Sequence, residues 1–219
     1  SGQCAMAANR DYMDLKSREP VCGYNPDGTT DETVLVGRVT DLSGKPIATI
    51  VNYACHPTSL AWQNTLISPD YIGAMREVVE GVTGVPCLFF QGAAGDVGPK
   101  HGFVGETDIA DSNGRMLGYA VLMILESMGP PSQDYYYKGP VVSGATLGIW
   151  EYRPFTTQRI TQVSKFVGGI RTVNLPTKAI ADRQTLELKL ADWLEREKEA
   201  LSSGDQIAAR DASAYVERC

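Results

Sequence analysis

The chain has 219 residues, with 43% apolar and 21% charged side chains, which is ordinary for a globular protein large enough to bury a substantial core. A net charge of −6 and a pI near 5.0 give no electrostatic footprint for nucleic acid or an anionic membrane surface. No apolar run approaches the roughly 20 residues that span a bilayer, so no transmembrane segment is expected. The first residues, "SGQCAMAANRDY", lack the charged and apolar regions of a signal peptide, and they begin at Ser1 rather than Met. The expectation is a piece of a longer protein.

Residues 1 to 32 are rich in Gly, Asn, Asp and Pro and read as an irregular lead-in. "TVLVGRVTD" and "PIATIVNYA" are β-branched runs around a Ser43-Gly44 turn, an antiparallel hairpin. The second run is apolar nearly throughout, which predicts burial on both faces, and it delivers His56 at its end. In "SPDYIGAMREVVEGVTG", Ser68 is an N-cap candidate, Pro69 suits the first helical position and Asp70 complements the helix dipole. Ile72, Met75, Val78 and Val79 follow at helical spacing.

"VPCLFFQG" reads as a buried strand beside the run that ends at His56. Strand, helix and strand together predict a crossover unit in a mixed α/β sheet. A second helix, capped by Thr107, carries an apolar stripe of Ile109, Met116, Leu117, Ala120, Val121, Ile124 and Leu125. "GPVVSGATLGIWEYRP" and "GIRTVNLP" are further strand candidates. From Asp182 onward two helices, the first with Leu186, Leu190, Trp193 and Leu194 on one face, predict an antiparallel helix pair. The expected division is residues 1–180 and a helical hairpin, 181–219, of the same domain.

The five cysteines are widely spaced and form no C-x-x-C pair; Cys55 and Cys87 read as buried thiols, and a bridge between Cys4 and Cys22 stays open. His56, one of two histidines, is either a metal ligand displayed at a strand end or a structural residue in a turn. "QGAAGDVGPKHG" contains Gly95, Asp96 and Gly98. It is either an active-site loop, in which glycines permit positive φ and close approach to a ligand, or a plain connection. It fits neither the Walker A nor the dinucleotide pattern, which excludes the common phosphate loops. Asp70 and Asp96 are candidate acids, bases or partners of a metal ligand, against a helix-cap role for the first and an Asx turn for the second. Asn9 and Arg10 stand in "AANRDY", where the arginine is either a solvated charge or a clamp for a carbonyl or carboxylate oxygen.

The segments "NR", "NYACHPTSLAWQNTLISPDYIGAMREVVE", "CLFFQGAAGDVGP" and "ADSNGRMLGYAVLMILE" resemble, in order and spacing, the neutral/alkaline non-lysosomal ceramidase family over roughly residues 1 to 130. The resemblance implies an α/β catalytic domain holding one zinc ion through two histidines, a glutamate and a tyrosine. Zinc-activated water then attacks the amide of an N-acyl lipid such as ceramide. His56 corresponds to the second of the histidines, and Arg10 to the arginine of the Asn-Arg element near the active site. Asp70 and Asp96 match positions that shape the site, and Asn9, Gly95 and Gly98 are carried over as substrate contacts. Relatives in that family are often secreted, periplasmic or membrane-associated on the outside, which leaves the compartment of this chain open.

Two departures qualify the match. Where the family's Gly-Asp-Val-Ser-Pro-Asn loop has serine, this chain has Gly98, so no serine nucleophile can act there. The family's first histidine lies upstream of the Asn-Arg element, and its glutamate and tyrosine lie downstream of the tail helices. The chain is thus expected to hold one of four zinc ligands, with His101 no evident substitute, and to have little activity in isolation. The alternative is an α/β binding or structural domain without the chemistry.

Overall fold

The computed structural model describes residues 1–165, 167–177 and 179–218. It forms two compact units, residues 1–165 and 166–219.

The first unit is built on a mixed four-stranded sheet in the order β1 (Gly2–Gln3), β5 (Thr33–Thr40), β6 (Pro46–Tyr53), β7 (Cys87–Gln91). β5 and β6 form the antiparallel hairpin around Gly44, whose φ of 87° is the left-handed conformation that glycine adopts without cost. β6 and β7 run parallel through the crossover helix α1 (Tyr71–Thr83). The short pairs β2 (Ala7–Asn9) with β8 (Val97–Pro99), and β3 (Asp11–Met13) with β4 (Pro20–Cys22), give regular structure to the lead-in expected to be irregular. The first of these pairs forms only because a segment some ninety residues away in the chain supplies its partner.

Helix α2 (Thr107–Glu126) lies against α1 and the sheet. The core holds Val34, Val51 and Tyr53 from the sheet, Tyr71, Met75 and Val79 from α1, and Leu117, Val121 and Ile124 from α2. Two glycines let the helices touch. A Cβ on Gly114 would collide with the Tyr71 carbonyl oxygen and sit 2.7 Å from Ala74 Cβ, and one on Gly118 would lie 2.8 Å from Val78 Cβ. Close packing at these positions narrows the expected stripe on α2: Met116 is 46% exposed, whereas Ala110, Asn113, Gly114 and Gly118 are buried.

β6 is buried on one face, not two. Thr49, Val51 and Tyr53 point into the core, while Ile50 on the opposite face is only half-buried beside the exposed Leu35, Leu88 and Phe90. Its apolar composition reflects a sheet with helices on one side only within this unit.

The segment read as a single strand around Trp150 is a two-stranded ribbon, β9 (Gln133–Ser143) and β10 (Ala145–Pro154), turning at Gly144 with φ 71°. It is followed by α3 (Thr157–Val163).

In the second unit α4 (Arg183–Ser203) and α5 (Gln206–Val216) pack on each other, joined at Gly204 in the left-handed conformation. The Trp193 and Tyr215 rings stack at 4.1 Å with 8° between their planes. "GIRTVNLP" forms no strand. Cys4, Cys22, Cys55 and Cys87 are free thiols, Cys4 being buried and Cys22 exposed.

Candidate functional site

The site forms where β6 leaves the sheet. At that point the chain runs through Ala54 and Cys55, and its neighbours fix the path. The Tyr53 carbonyl accepts from Gly92 N–H at 2.9 Å, and His56 N–H donates to the Val97 carbonyl at 3.0 Å. The Cys55 carbonyl accepts from the Tyr71 hydroxyl at 2.5 Å and from Gln91 Nε2 at 2.9 Å. Tyr53 ties the lead-in to the same strand end, its hydroxyl donating to the Cys4 carbonyl at 2.7 Å and accepting from Ala7 N–H at 3.0 Å.

With β2 held there, its pairing with β8 sets Ala8 opposite Gly98 and Asn9 opposite Val97. Arg10 continues the register, its N–H donating to the Asp96 carbonyl at 2.8 Å. Its guanidinium donates from Nε at 3.3 Å and Nη2 at 2.9 Å to the Gly95 carbonyl. Of the five guanidinium N–H groups, the rest remain available to an oxygen ligand. A Cβ on Gly98 would lie 3.4 Å from both Arg10 Cδ and Thr58 Oγ1, so Arg10, Gly98 and the loop after His56 meet at one place.

Six of the seven predicted residues therefore gather around Val97: Asn9, Arg10, His56, Gly95, Asp96 and Gly98. Their states differ. The His56 and Asp96 side chains are exposed, and Arg10 is half-buried. Asn9 is a structural hub, its Nδ2 donating to Asp96 Oδ2 at 3.2 Å and its Oδ1 accepting from Asp11 N–H and Asn25 Nδ2. The loop glycines serve close approach rather than positive φ. A Cβ would be 3.0 Å from the Ala54 backbone at Gly92 and 2.7 Å from the Thr58 carbonyl oxygen at Gly102, whereas Gly95 faces open space.

Asp70 stands apart from this cluster and holds it from behind. It caps α1, and Oδ1 accepts from Tyr71 N–H at 2.7 Å and Ser59 N–H at 3.2 Å, while Oδ2 accepts from Leu60 N–H at 2.8 Å. The cap thus falls two residues after the expected Ser68, whose hydroxyl instead accepts from Asp70 N–H at 3.0 Å. At φ 55° and ψ −149°, Asp70 occupies backbone space that only glycine adopts freely.

Three participants escape the sequence. Thr58 faces the place where a Gly98 side chain would project. Tyr71 supports the carbonyl before His56. Asn113 joins α2 to both loops, donating to Ser59 Oγ at 3.0 Å and the His101 carbonyl at 2.9 Å. Asn113 alone had a visible signal, an amide one turn before Leu117 on the apolar stripe.

The buried titratable groups behind the site are scaffold. Burial pushes the Cys55 thiol up to about 12 and raises the Tyr53, Tyr71 and Cys4 groups, so all four stay neutral near pH 7. Cys55 is consequently no nucleophile. A polar cavity of about 220 Å³ lies behind Asn9, lined also by Tyr24, Asn25, Glu32 and Lys100.

Among the described residues no group of three or more His, Cys, Asp or Glu side chains is placed to hold a metal ion. Zinc takes three or four protein donors. His56 is exposed and sterically free to be one of them, but the donors described here do not complete a zinc site.

Among solved structures the chain is similar to a ceramidase complexed with C2, with 21% identity and a TM-score of 0.47 over 63% of this chain and 23% of that one. It is also similar to the neutral ceramidase from Pseudomonas aeruginosa, with 21% identity and a TM-score of 0.44 over 64% of this chain and 24% of that one. The chain spans about a quarter of the length of these proteins. Neither a protein-family model nor a curated protein matches it.

Proposed function

We propose that this chain is the central part of a hydrolase of the neutral ceramidase-like class. In the intact protein it cleaves the amide bond of an N-acyl lipid or a related substrate, and His56 is one of the donors to a catalytic zinc ion. The supporting observation is that three blocks distant in sequence, Asn9–Arg10, His56 and Gly95–Gly98, meet around Val97. Arg10 has donors left over for a substrate oxygen on which negative charge develops, the arrangement that acyl transfer requires. The reading requires that the remaining metal donors come from outside the residues described here.

The test is release of fatty acid from an N-acylsphingosine by the full-length protein containing this chain, beside its His56→Ala variant. The variant is expected to lose activity by about 100-fold or more with its fold unchanged, as a lost metal donor costs several kcal/mol of transition-state stabilisation. Equal activity in the two proteins removes His56 from the mechanism. In parallel, elemental mass spectrometry of the purified 219-residue chain should find zinc well below one equivalent; a tightly held equivalent would refute the need for outside donors.

A second reading, a binding domain without the chemistry, is favoured by one observation: Gly98 presents no hydroxyl towards Arg10 and Thr58. A full-length protein that binds the N-acyl lipid without hydrolysing it would establish that reading.

A further inference from the structure

Thr58 follows His56 by two residues, and the proposed reaction leaves its hydroxyl unused. The backbone around it is held on both sides. Thr58 N–H donates to the His56 carbonyl at 2.8 Å, and the Thr58 carbonyl accepts from Phe103 N–H at 2.9 Å. The next two N–H groups, of Ser59 and Leu60, donate to the Asp70 carboxylate, and Ser59 Oγ accepts from the buried Asn113 at 3.0 Å. Gly102 packs on the Thr58 carbonyl so closely that a Cβ would lie 2.7 Å from its oxygen. Phe103 sits at φ 58°, a left-handed conformation that a bulky side chain adopts only where its surroundings impose it. All these partners belong to residues 1–165, so the place of Thr58 is fixed from inside the unit, whatever covers its outer side.

The hydroxyl, by contrast, is poorly spent. Its one hydrogen bond among the described residues runs to the His56 carbonyl at 3.5 Å, beyond the roughly 2.5–3.0 Å of a good O–H···O bond. Thr58 Oγ1 and Arg10 Cδ each lie 3.4 Å from where a Cβ on Gly98 would stand. The φ of Gly98 is not positive, so its backbone does not require glycine. What glycine supplies is the gap, across which a hydroxyl and an arginine face each other.

We propose that Thr58 is a further substrate-contacting residue. Its hydroxyl and the spare donors of Arg10 together take the acyl oxygen of the substrate, and then the carboxylate of the released fatty acid, at the gap left by Gly98. This rests on the reading of the site as one for an N-acyl lipid, and it supplies from Thr58 the hydroxyl that position 98 lacks. A threonine hydroxyl is donor and acceptor at once, and its proton can turn from a distant carbonyl to a nearer oxygen. Hydrogen bonds to a charged oxygen are the stronger ones, so the contact strengthens as negative charge develops on the acyl oxygen.

The test uses the full-length protein containing this chain, with Thr58→Val, which removes the hydroxyl at similar shape, and Thr58→Ser, which keeps it. Hydrolysis of an N-acylsphingosine and calorimetric binding of octanoate are both measured. Thr58→Val should lose about tenfold to a hundredfold in kcat/KM and in octanoate affinity, Thr58→Ser should stay within about threefold of wild type, and the melting temperatures should agree. A valine variant that binds and turns over like wild type overturns the proposal. So does a serine variant as impaired as the valine one, since packing rather than the hydroxyl would then be at work. Failure of the contact and failure of the hydrolase are distinguishable. Activity lost in His56→Ala but kept in Thr58→Val leaves the hydrolase and removes Thr58, whereas octanoate binding that depends on Thr58 in a protein without hydrolysis keeps the contact and removes the chemistry. A wild type that neither binds octanoate nor hydrolyses the lipid overturns both.

Discussion

Asp70→Ala tests whether the loop carrying His56 is held by one carboxylate. The substitution removes the acceptor for three backbone donors, Tyr71, Ser59 and Leu60 N–H, of which Tyr71 and Ser59 belong to fully buried residues. Loss of the helix cap costs about 1 kcal/mol. Stranding the Ser59 donor in the interior costs about 1–3 kcal/mol, and the half-buried Leu60 donor costs less because water reaches it. The expected destabilisation is about 3–4 kcal/mol. Alanine also keeps the unfavourable backbone geometry at φ 55° and ψ −149°, whereas Asp70→Gly relieves about 1–3 kcal/mol of it. Glycine should therefore be less damaging than alanine, and by more than the ordinary N-cap preference for glycine over alanine. Urea unfolding followed by circular dichroism gives the stabilities, and hydrogen exchange over residues 56–62 should accelerate in both variants. An alanine variant within about 0.5 kcal/mol of wild type, or a glycine variant worse than alanine, would refute the account.

Gly114→Ala drives a methyl into the Tyr71 carbonyl and against Met75 N at 2.8 Å, both backbone atoms of α1 that cannot rotate away. It should cost about 3 kcal/mol or more, read as a shift in the urea midpoint, whereas Gly95→Ala, facing open space, should cost less than about 0.5 kcal/mol. Stability should also fall in alkali. Burial raises the Cys55 thiol to about 12 and the Cys87 thiol to about 11 from an ordinary 9.0. The unfolded chain then releases protons that the folded chain retains, and the stabilisation, complete below pH 9, is lost progressively from pH 9 to about 12. Melting temperature measured against pH should show a decline there that Cys55→Ala reduces; a flat profile to pH 11 would refute it.

The sequence made the elements legible where local chemistry and tertiary packing agree. The β5–β6 hairpin follows from β-branched runs around a glycine turn, and α1 and α2 follow from their apolar spacing. The register of β2 on β8 was not legible, since nothing local to "AAN" specifies a partner some ninety residues on. The ribbon was read as one strand because its turn, Ser143-Gly144, lies in a run without charges. β6 was read as doubly buried because an apolar strand looks the same whether its second face is covered or open.

What the sequence could least resolve was the difference between Asp70 and Asp96, two carboxylates next to strand ends. Hydrogen-bond capacity separates them. Asp70 spends both oxygens on backbone donors and has little left for a substrate, so its effect on chemistry runs through the loop it holds. Asp96 accepts one bond, from Asn9, and its exposed carboxylate keeps an oxygen free. Arg10 likewise spends only part of its donor fork on Gly95, and among the described residues the exposed His56 imidazole has no hydrogen-bond partner. A functional group must retain interactions that the fold itself has not consumed. In the function proposed above, His56, Arg10 and Asp96 are by that criterion the residues left with interactions to offer a ligand, while Asp70, Asn9 and Tyr71 spend theirs on the fold.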